Sequence, residues 1–141
     1  MSGFDRPELL ASTAWLAERL GEADLCIVDL RWRTDGSGAA LHAAGHIPGA
    51  VHLDWAAELV EREESGFLQL AGRERIADAL ASTGVMASSR LVLYDDTRGL
   101  YAARAWWSLL AWGVTEVRIL DGGLPAWQAE GRPIEIGRAH V

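Results

Sequence analysis

Residues 91–113 read LVLYDDTRGLYAARAWWSLLAWG, and this stretch decides the fold class. Its first four residues are apolar and bulky, a run of the length of a buried strand. The next five, Asp95, Asp96, Thr97, Arg98 and Gly99, are polar and end in glycine, the composition of a tight loop. From Ala102 to Trp112 apolar residues dominate without glycine or proline, and Gly113 supplies a stop, which predicts a helix over 102–112. Strand, polar loop and helix in succession form the repeating unit of an α/β fold.

The same alternation extends in both directions. Ser12 is a candidate N-cap for a helix over 13–20, with Gly21 as its stop. A continuous apolar run over 25–30 has the pattern of a strand buried on both faces. A helical turn is predicted over 41–44 and a short strand over 50–53, separated by Pro48 and Gly49. An amphipathic helix follows over 73–80, ended by Gly84, and a last strand over 117–120 precedes a short helix over 125–130. These elements predict a parallel sheet covered by helices on both faces. In such sheets ligands sit beyond the C-terminal ends of the strands. Three polar clusters fall at such ends: Asp29 with Arg31, the loop from Asp95 to Gly99, and Asp121, Gly122 and Gly123.

The chain's 141 residues suit a single domain. Half of them are hydrophobic and 23% charged, enough apolar material for a core. No apolar stretch approaches the roughly 20 residues of a membrane span, and residues 1–7 lack the order of a secretory signal. A soluble, cytoplasmic protein is expected. Thirteen basic residues against twenty acidic give a charge of −7, and every basic residue is arginine. The absence of lysine removes P-loop and Schiff-base chemistry. The acidic balance disfavours nucleic acid as a partner. One cysteine, Cys26, excludes an internal disulfide and a thiolate-rich metal site, and no metal or cofactor is expected.

A helix that follows such a loop directs its first, unpaired N–H groups into it, and its dipole adds positive potential. Where loops of this kind serve catalysis, a cysteine at the head is held there as thiolate. Here Asp95 holds that place with Asp96 beside it, so the two carboxylates are read as filling the cradle and capping the helix. Arg98 and Arg104 are candidate anion binders, Arg104 more simply a helix-surface partner for a carboxylate. Asp29 and Arg31 are expected to pair with each other or with loop backbone. His46 is expected to fix its turn by a hydrogen bond rather than to act as a general base or metal ligand; no second His or Cys lies at ligand spacing, although His42 is four residues earlier. Cys26, inside an apolar strand, reads as an inert core residue. Trp106, Trp107, Trp112 and Trp127 are read as core, or as buried against a second domain. Glu61, Glu63 and Glu64 read as a solvated loop. An aspartyl nucleophile at Asp95 would need a second carboxylate for a metal ion and usually a lysine, which the chain lacks.

The segment Gly45-His46-Ile47-Pro48-Gly49-Ala50-Val51 resembles the N-terminal signature of rhodanese domains. Leu120-Asp121-Gly122-Gly123-Leu124-Pro125-Ala126-Trp127, followed by Gly131-Arg132-Pro133, resembles the C-terminal one. Between them, Leu93-Tyr94-Asp95-Asp96 and Tyr101-Ala102-Ala103-Arg104-Ala105-Trp106-Trp107 resemble the non-catalytic N-terminal half of tandem-domain thiosulfate or 3-mercaptopyruvate sulfurtransferases. The resemblance covers residues 12–133 in order. It implies the three-layer rhodanese fold, a central five-stranded, mostly parallel sheet with helices on both faces. It also implies a persulfide mechanism, in which a cysteine thiolate takes the outer sulfur of a donor and passes it to a thiophilic acceptor. The cysteine position falls on Asp95, so Asp95, Asp96, Thr97, Arg98 and Gly99 form a degenerate active-site loop and the chain has no catalytic residue. Asp29, Arg31, His46, Pro48, Gly49, Asp121, Gly122 and Gly123 are then structural motif residues.

The expected organisation is a lead-in over 1–11, one domain over 12–136, and a linker or chain end over 137–141. The partner implied is a second, cysteine-bearing rhodanese domain in the same polypeptide, or a second copy in a homodimer. An apolar, aromatic-bearing patch is expected near 95–101 and 121–124, where that partner would pack. The alternative is a stand-alone inactive domain serving as a protein-binding or regulatory module.

Overall fold

The computed structural model describes residues 9–54, 60–62, 68–70, 78, 81, 90–111, 114 and 116–137. Five strands make one sheet: β1 (Leu10–Ala11), β2 (Leu25–Asp29), β3 (Val51–His52), β6 (Arg90–Tyr94) and β7 (Val117–Leu120). Their order is β1-β7-β6-β2-β3 and every pairing is parallel. Two further strands, β4 (Val60–Arg62) and β5 (Leu68–Leu70), form a separate antiparallel pair. The described helices are α1 (Thr13–Glu18), α2 (Gly38–Ala44), α3 (Leu100–Ala111) and α4 (Gly123–Ala129).

Alternation along the central strands explains the three layers. Leu91 and Leu93 of β6 point to one face, where they meet Val28, Ala102, Ala105, Leu109, Val117 and Ile119. Val92 and Tyr94 point to the other, against Leu16 of α1, Ile27, Leu120, Leu124 and Trp127. Four successive apolar positions, Leu91 to Tyr94, are what a strand in a sheet covered on both sides requires. From β2 the chain goes outward to β3 on one side, and from β6 to β7 on the other. The reversal lies between β2 and β6, where Asp29 is in register with Tyr94. The crevice of an open α/β sheet forms at such a point, here between Asp29 and Asp95.

The predicted elements that fall within the described residues are present, most with shifted ends; the strand over 117–120 has the predicted bounds. Ser12 caps α1 through its side chain, which accepts from Trp15 N at 3.0 Å, but the helix stops at Glu18, two residues early. α2 begins at Gly38 and α4 at Gly123, each ahead of the predicted start. α3 begins at Leu100; its predicted end at Trp112 and Gly113 lies outside the described residues. Of the helix predicted over 73–80 only Asp78, which is helical, is described. β1 and the β4–β5 pair were not expected, since strands of two or three residues are too short to show a period. Glu61 accordingly lies in a strand rather than a loop, while Glu63 and Glu64 lie outside the described residues.

Candidate functional site

Asp95 follows β6 directly and is 1% exposed. Its Oδ1 accepts hydrogen bonds from the backbone N–H groups of Thr97 (2.8 Å) and Gly99 (2.9 Å). Its Oδ2 accepts from those of Tyr101 (2.8 Å) and Ala102 (2.9 Å), in the first turn of α3. Arg98 and Gly99 both lie in the left-handed region, at φ +57° and +80°, and curl the loop around the carboxylate. The cradle therefore exists, and the anion in it is the chain's own side chain. The expected capping role of this carboxylate is met by backbone donors that reach as far as Ala102.

Asp96 does not enter the cradle, contrary to the expectation that both carboxylates would fill it. It turns to Arg33, whose Nη1 and Nη2 donate to its two oxygens at 3.0 and 2.5 Å, and it accepts from Thr97 Oγ1 at 3.1 Å. Despite partial burial, Arg33 holds the Asp96 carboxyl below its ordinary range. No local pattern in the sequence singles out Arg33, which meets Asp96 across 63 residues. Arg98 and Arg104 are exposed; neither donates to the Asp95 carboxylate, whose four partners are all backbone N–H groups.

Across the crevice, Arg31 pairs with Asp29 through Nε (3.1 Å to each oxygen) and Nη2 (2.6 Å), and Nη2 also donates to the Gly45 carbonyl at 2.7 Å. His42 Nδ1 meets the same Asp29 oxygen at 2.9 Å. Burial opposes the Asp29 charge, yet the hydrogen bonds from His42 and Arg31 hold its carboxyl at about 2. The His46 ring is fully buried and stacks on His42 with centroids 3.9 Å apart. Pro48 and Gly49 occupy the centre of a turn closed by Ala50 N donating to Ile47 O at 2.9 Å. Gly49 at φ +84° takes the position of a type II turn that favours glycine.

The Asp121-Gly122-Gly123 cluster reaches the cradle from behind. The Asp95 carbonyl accepts from Leu124 N at 3.0 Å. Gly123 lies so close to it that an added Cβ would be 2.6 Å from that oxygen. Asp121 itself is exposed. Sequence reading missed His52, whose Nε2 meets the Arg31 carbonyl at 3.1 Å, and Glu135, which meets His46 Nε2 at 3.1 Å. Glu135 sits 89 residues from His46, and no local pattern relates the two.

Cys26 is half-buried rather than fully buried; it packs on the core cluster of the α3 face, and burial pushes its thiol up. That makes it a poor nucleophile. Trp127 is fully buried and its Nε1 donates to Pro133 O at 2.7 Å. Trp106 packs against the α3-side core, whereas Trp107 is 66% exposed; Trp112 lies outside the described residues. Leu100, at the mouth of the loop, is 46% exposed, while Leu124 is buried. Among the described residues the exposed large apolar side chains are Leu100 and Trp107 on α3 and Ile136 near the end of the described chain, and none lies in 121–124. Among the described residues no group of three or more His, Cys, Asp or Glu side chains could hold a metal ion, and no helix is long and apolar enough to cross a membrane.

Comparison with known proteins agrees with this geometry. Residues 12–130 match the rhodanese-like domain family. The chain is 38% identical over 138 residues to the "Probable 3-mercaptopyruvate sulfurtransferase" of Pseudomonas aeruginosa, covering 94% of this chain and 49% of that protein. It is 33% identical over 129 residues to the thiosulfate sulfurtransferase of Corynebacterium glutamicum, covering 92% and 40%. The crystal structure of the 3-mercaptopyruvate sulfurtransferase SseA of Escherichia coli superposes with a TM-score of 0.84 at 34% identity, over 94% of this chain and 53% of that one. The chain spans about half the length of the curated relatives it matches. With a five-stranded parallel sheet, a helix-capping anion loop at its switch point and this match over most of its length, the chain belongs to the rhodanese-like domain family.

Proposed function

We propose that this chain is the non-catalytic, N-terminal half of a thiosulfate or 3-mercaptopyruvate sulfurtransferase. The observation that carries the reading is the Asp95 carboxylate, which accepts four backbone N–H bonds in the loop where the family resemblance puts the nucleophilic cysteine. Sulfur transfer by a persulfide needs a thiolate to attack the outer sulfur of the donor, release the donor's remainder and hold the sulfur for an acceptor. A carboxylate oxygen cannot hold sulfane sulfur in this way. With both oxygens already saturated, the loop also has no N–H group left in this set for an incoming anion. In this reading the loop from Asp95 to Gly99 braces the crevice, and Asp29, Arg31, His46, Pro48, Gly49, Asp121, Gly122 and Gly123 hold its walls.

The partner is a second rhodanese domain that carries the cysteine, joined in the same polypeptide after a domain over 12–136. Exposed Leu100 and Trp107, seven residues apart on α3, support a contact face that starts at the mouth of the loop.

The substitution Asp95→Cys in a Cys26→Ser background tests whether the loop is the family's nucleophile cradle. Four convergent N–H groups should stabilise a thiolate, so the new thiol should titrate well below the ordinary value of about 8.5. Rates of alkylation by iodoacetamide across pH read this directly. A thiol that titrates at or above the ordinary value would contradict the reading.

A further inference from the structure

Beyond α4 the chain turns at Gly131 and lies back across the loop that holds His46. His46 N donates to Glu135 O at 2.9 Å, and Glu135 N to His46 O at 2.8 Å, an antiparallel bridge. Gly137 N donates to Ala43 O at 2.6 Å. The side chains repeat the contact: Glu135 Oε1 lies 3.1 Å from His46 Nε2 and accepts from Gly49 N at 3.1 Å.

Counting donors fixes what this contact needs. His46 Nδ1 is 2.7 Å from the carbonyl oxygen of His42, which only accepts, so Nδ1 carries a hydrogen. The Gly49 N–H and His46 hold the Glu135 carboxyl below its ordinary range, so it too only accepts at neutral pH. The pair is a hydrogen bond when Nε2 also carries a hydrogen and His46 is an imidazolium. With a neutral ring, a nitrogen lone pair faces a carboxylate. We propose that His46 and Glu135 form a proton-dependent clasp that fastens the segment around residues 132–137 to the loop around residues 45–50, closed while His46 holds both protons and loosened when Nε2 loses its own.

The groups around the ring leave Glu135 as the charged partner that His46 meets. From α2, His42 stacks on it face to face; its Nδ1 donates to ionised Asp29 of β2, so His42 is satisfied with one hydrogen. A second proton on His42 would set two cations in contact. From the end of β2, Arg31 is engaged by Asp29 and the Gly45 carbonyl. From β3, His52 lies 5.7 Å from the His42 ring and meets the Arg31 carbonyl. From β6, the Tyr94 hydroxyl accepts from Ile47 N, and burial together with the Asp29 charge pushes this phenol up, so it stays neutral. Among the described residues, Glu135 is therefore the anion that touches His46. The clasp stands whether or not the sulfurtransferase reading is correct.

Amide hydrogen exchange tests it, corrected for intrinsic rates, at about pH 6 and about pH 8. Protection of the Glu135 and Gly137 amides should fall about tenfold between the two pH values, while that of Ala103, bonded to Gly99 O within the loop–α3 junction, should not change. In Glu135→Gln the side-chain amide can donate to a neutral Nε2, so the dependence should vanish or reverse. Equal protection at both pH values in the native chain, or the native dependence retained in Glu135→Gln, would overturn the proposal.

Discussion

A side-chain carboxylate at the head of a loop can do the work of a bound anion. Asp95 gathers N–H groups from Thr97, Gly99, Tyr101 and Ala102, and so ties β6 to the start of α3. Removing it in Asp95→Ala leaves these four donors without their acceptor in a half-buried loop, where each group left unpaired away from water costs about 1–3 kcal/mol. The expected loss of stability is on the order of 3 kcal/mol by urea denaturation. Asp95→Asn should recover only part of it, because its amide nitrogen would face two donors. A change within about 0.5 kcal/mol for Asp95→Ala would mean that the loop does not depend on this cap. That Asp95 faces a helix N-terminus is legible from the strand–loop–helix pattern. That Asp96 turns away to Arg33 is not, because the pair joins two loops that the sheet brings together across 63 residues.

At the scale of elements, the first turn of α4 packs against the cradle through a position that tolerates no side chain. Gly123 combines φ +60° with the close approach to the Asp95 carbonyl. Gly131 has a similar φ of +69° with no atom within 4 Å of its would-be Cβ. Gly131→Ala should therefore cost only the backbone strain, about 1 kcal/mol, whereas Gly123→Ala should cost more, up to about 3 kcal/mol, and should also weaken protection of the Leu124 amide. Equal effects of the two substitutions on the denaturation midpoint would contradict the packing argument. Helices and central strands are readable because their length exposes a period or a cap, as with Ser12 at α1 and the apolar run of β6. β1, with two residues, and the β4–β5 pair exist through pairing with distant chain, which leaves no local mark.

For the whole molecule, the parallel sheet places its switch point between Asp29 and Asp95, and both walls of that crevice are built from internal ion pairs and backbone caps. The three-layer architecture was legible because β6 is apolar from Leu91 to Tyr94, with Leu91 and Leu93 serving one core and Val92 and Tyr94 the other. The placement of Glu135 on His46 was not, since it depends on how the chain returns after α4. On α3, Leu100 and Trp107 are exposed large apolar side chains. On the proposed reading, a rhodanese fold with its own carboxylate in the cradle transfers no sulfur by itself. Thiocyanate formation from thiosulfate and cyanide by the chain of residues 1–141 measures this most directly. The expected result is a rate at background, the same with Cys26→Ser. Turnover above background that is lost on Cys26→Ser would contradict it and would identify Cys26 as the residue that carries sulfur.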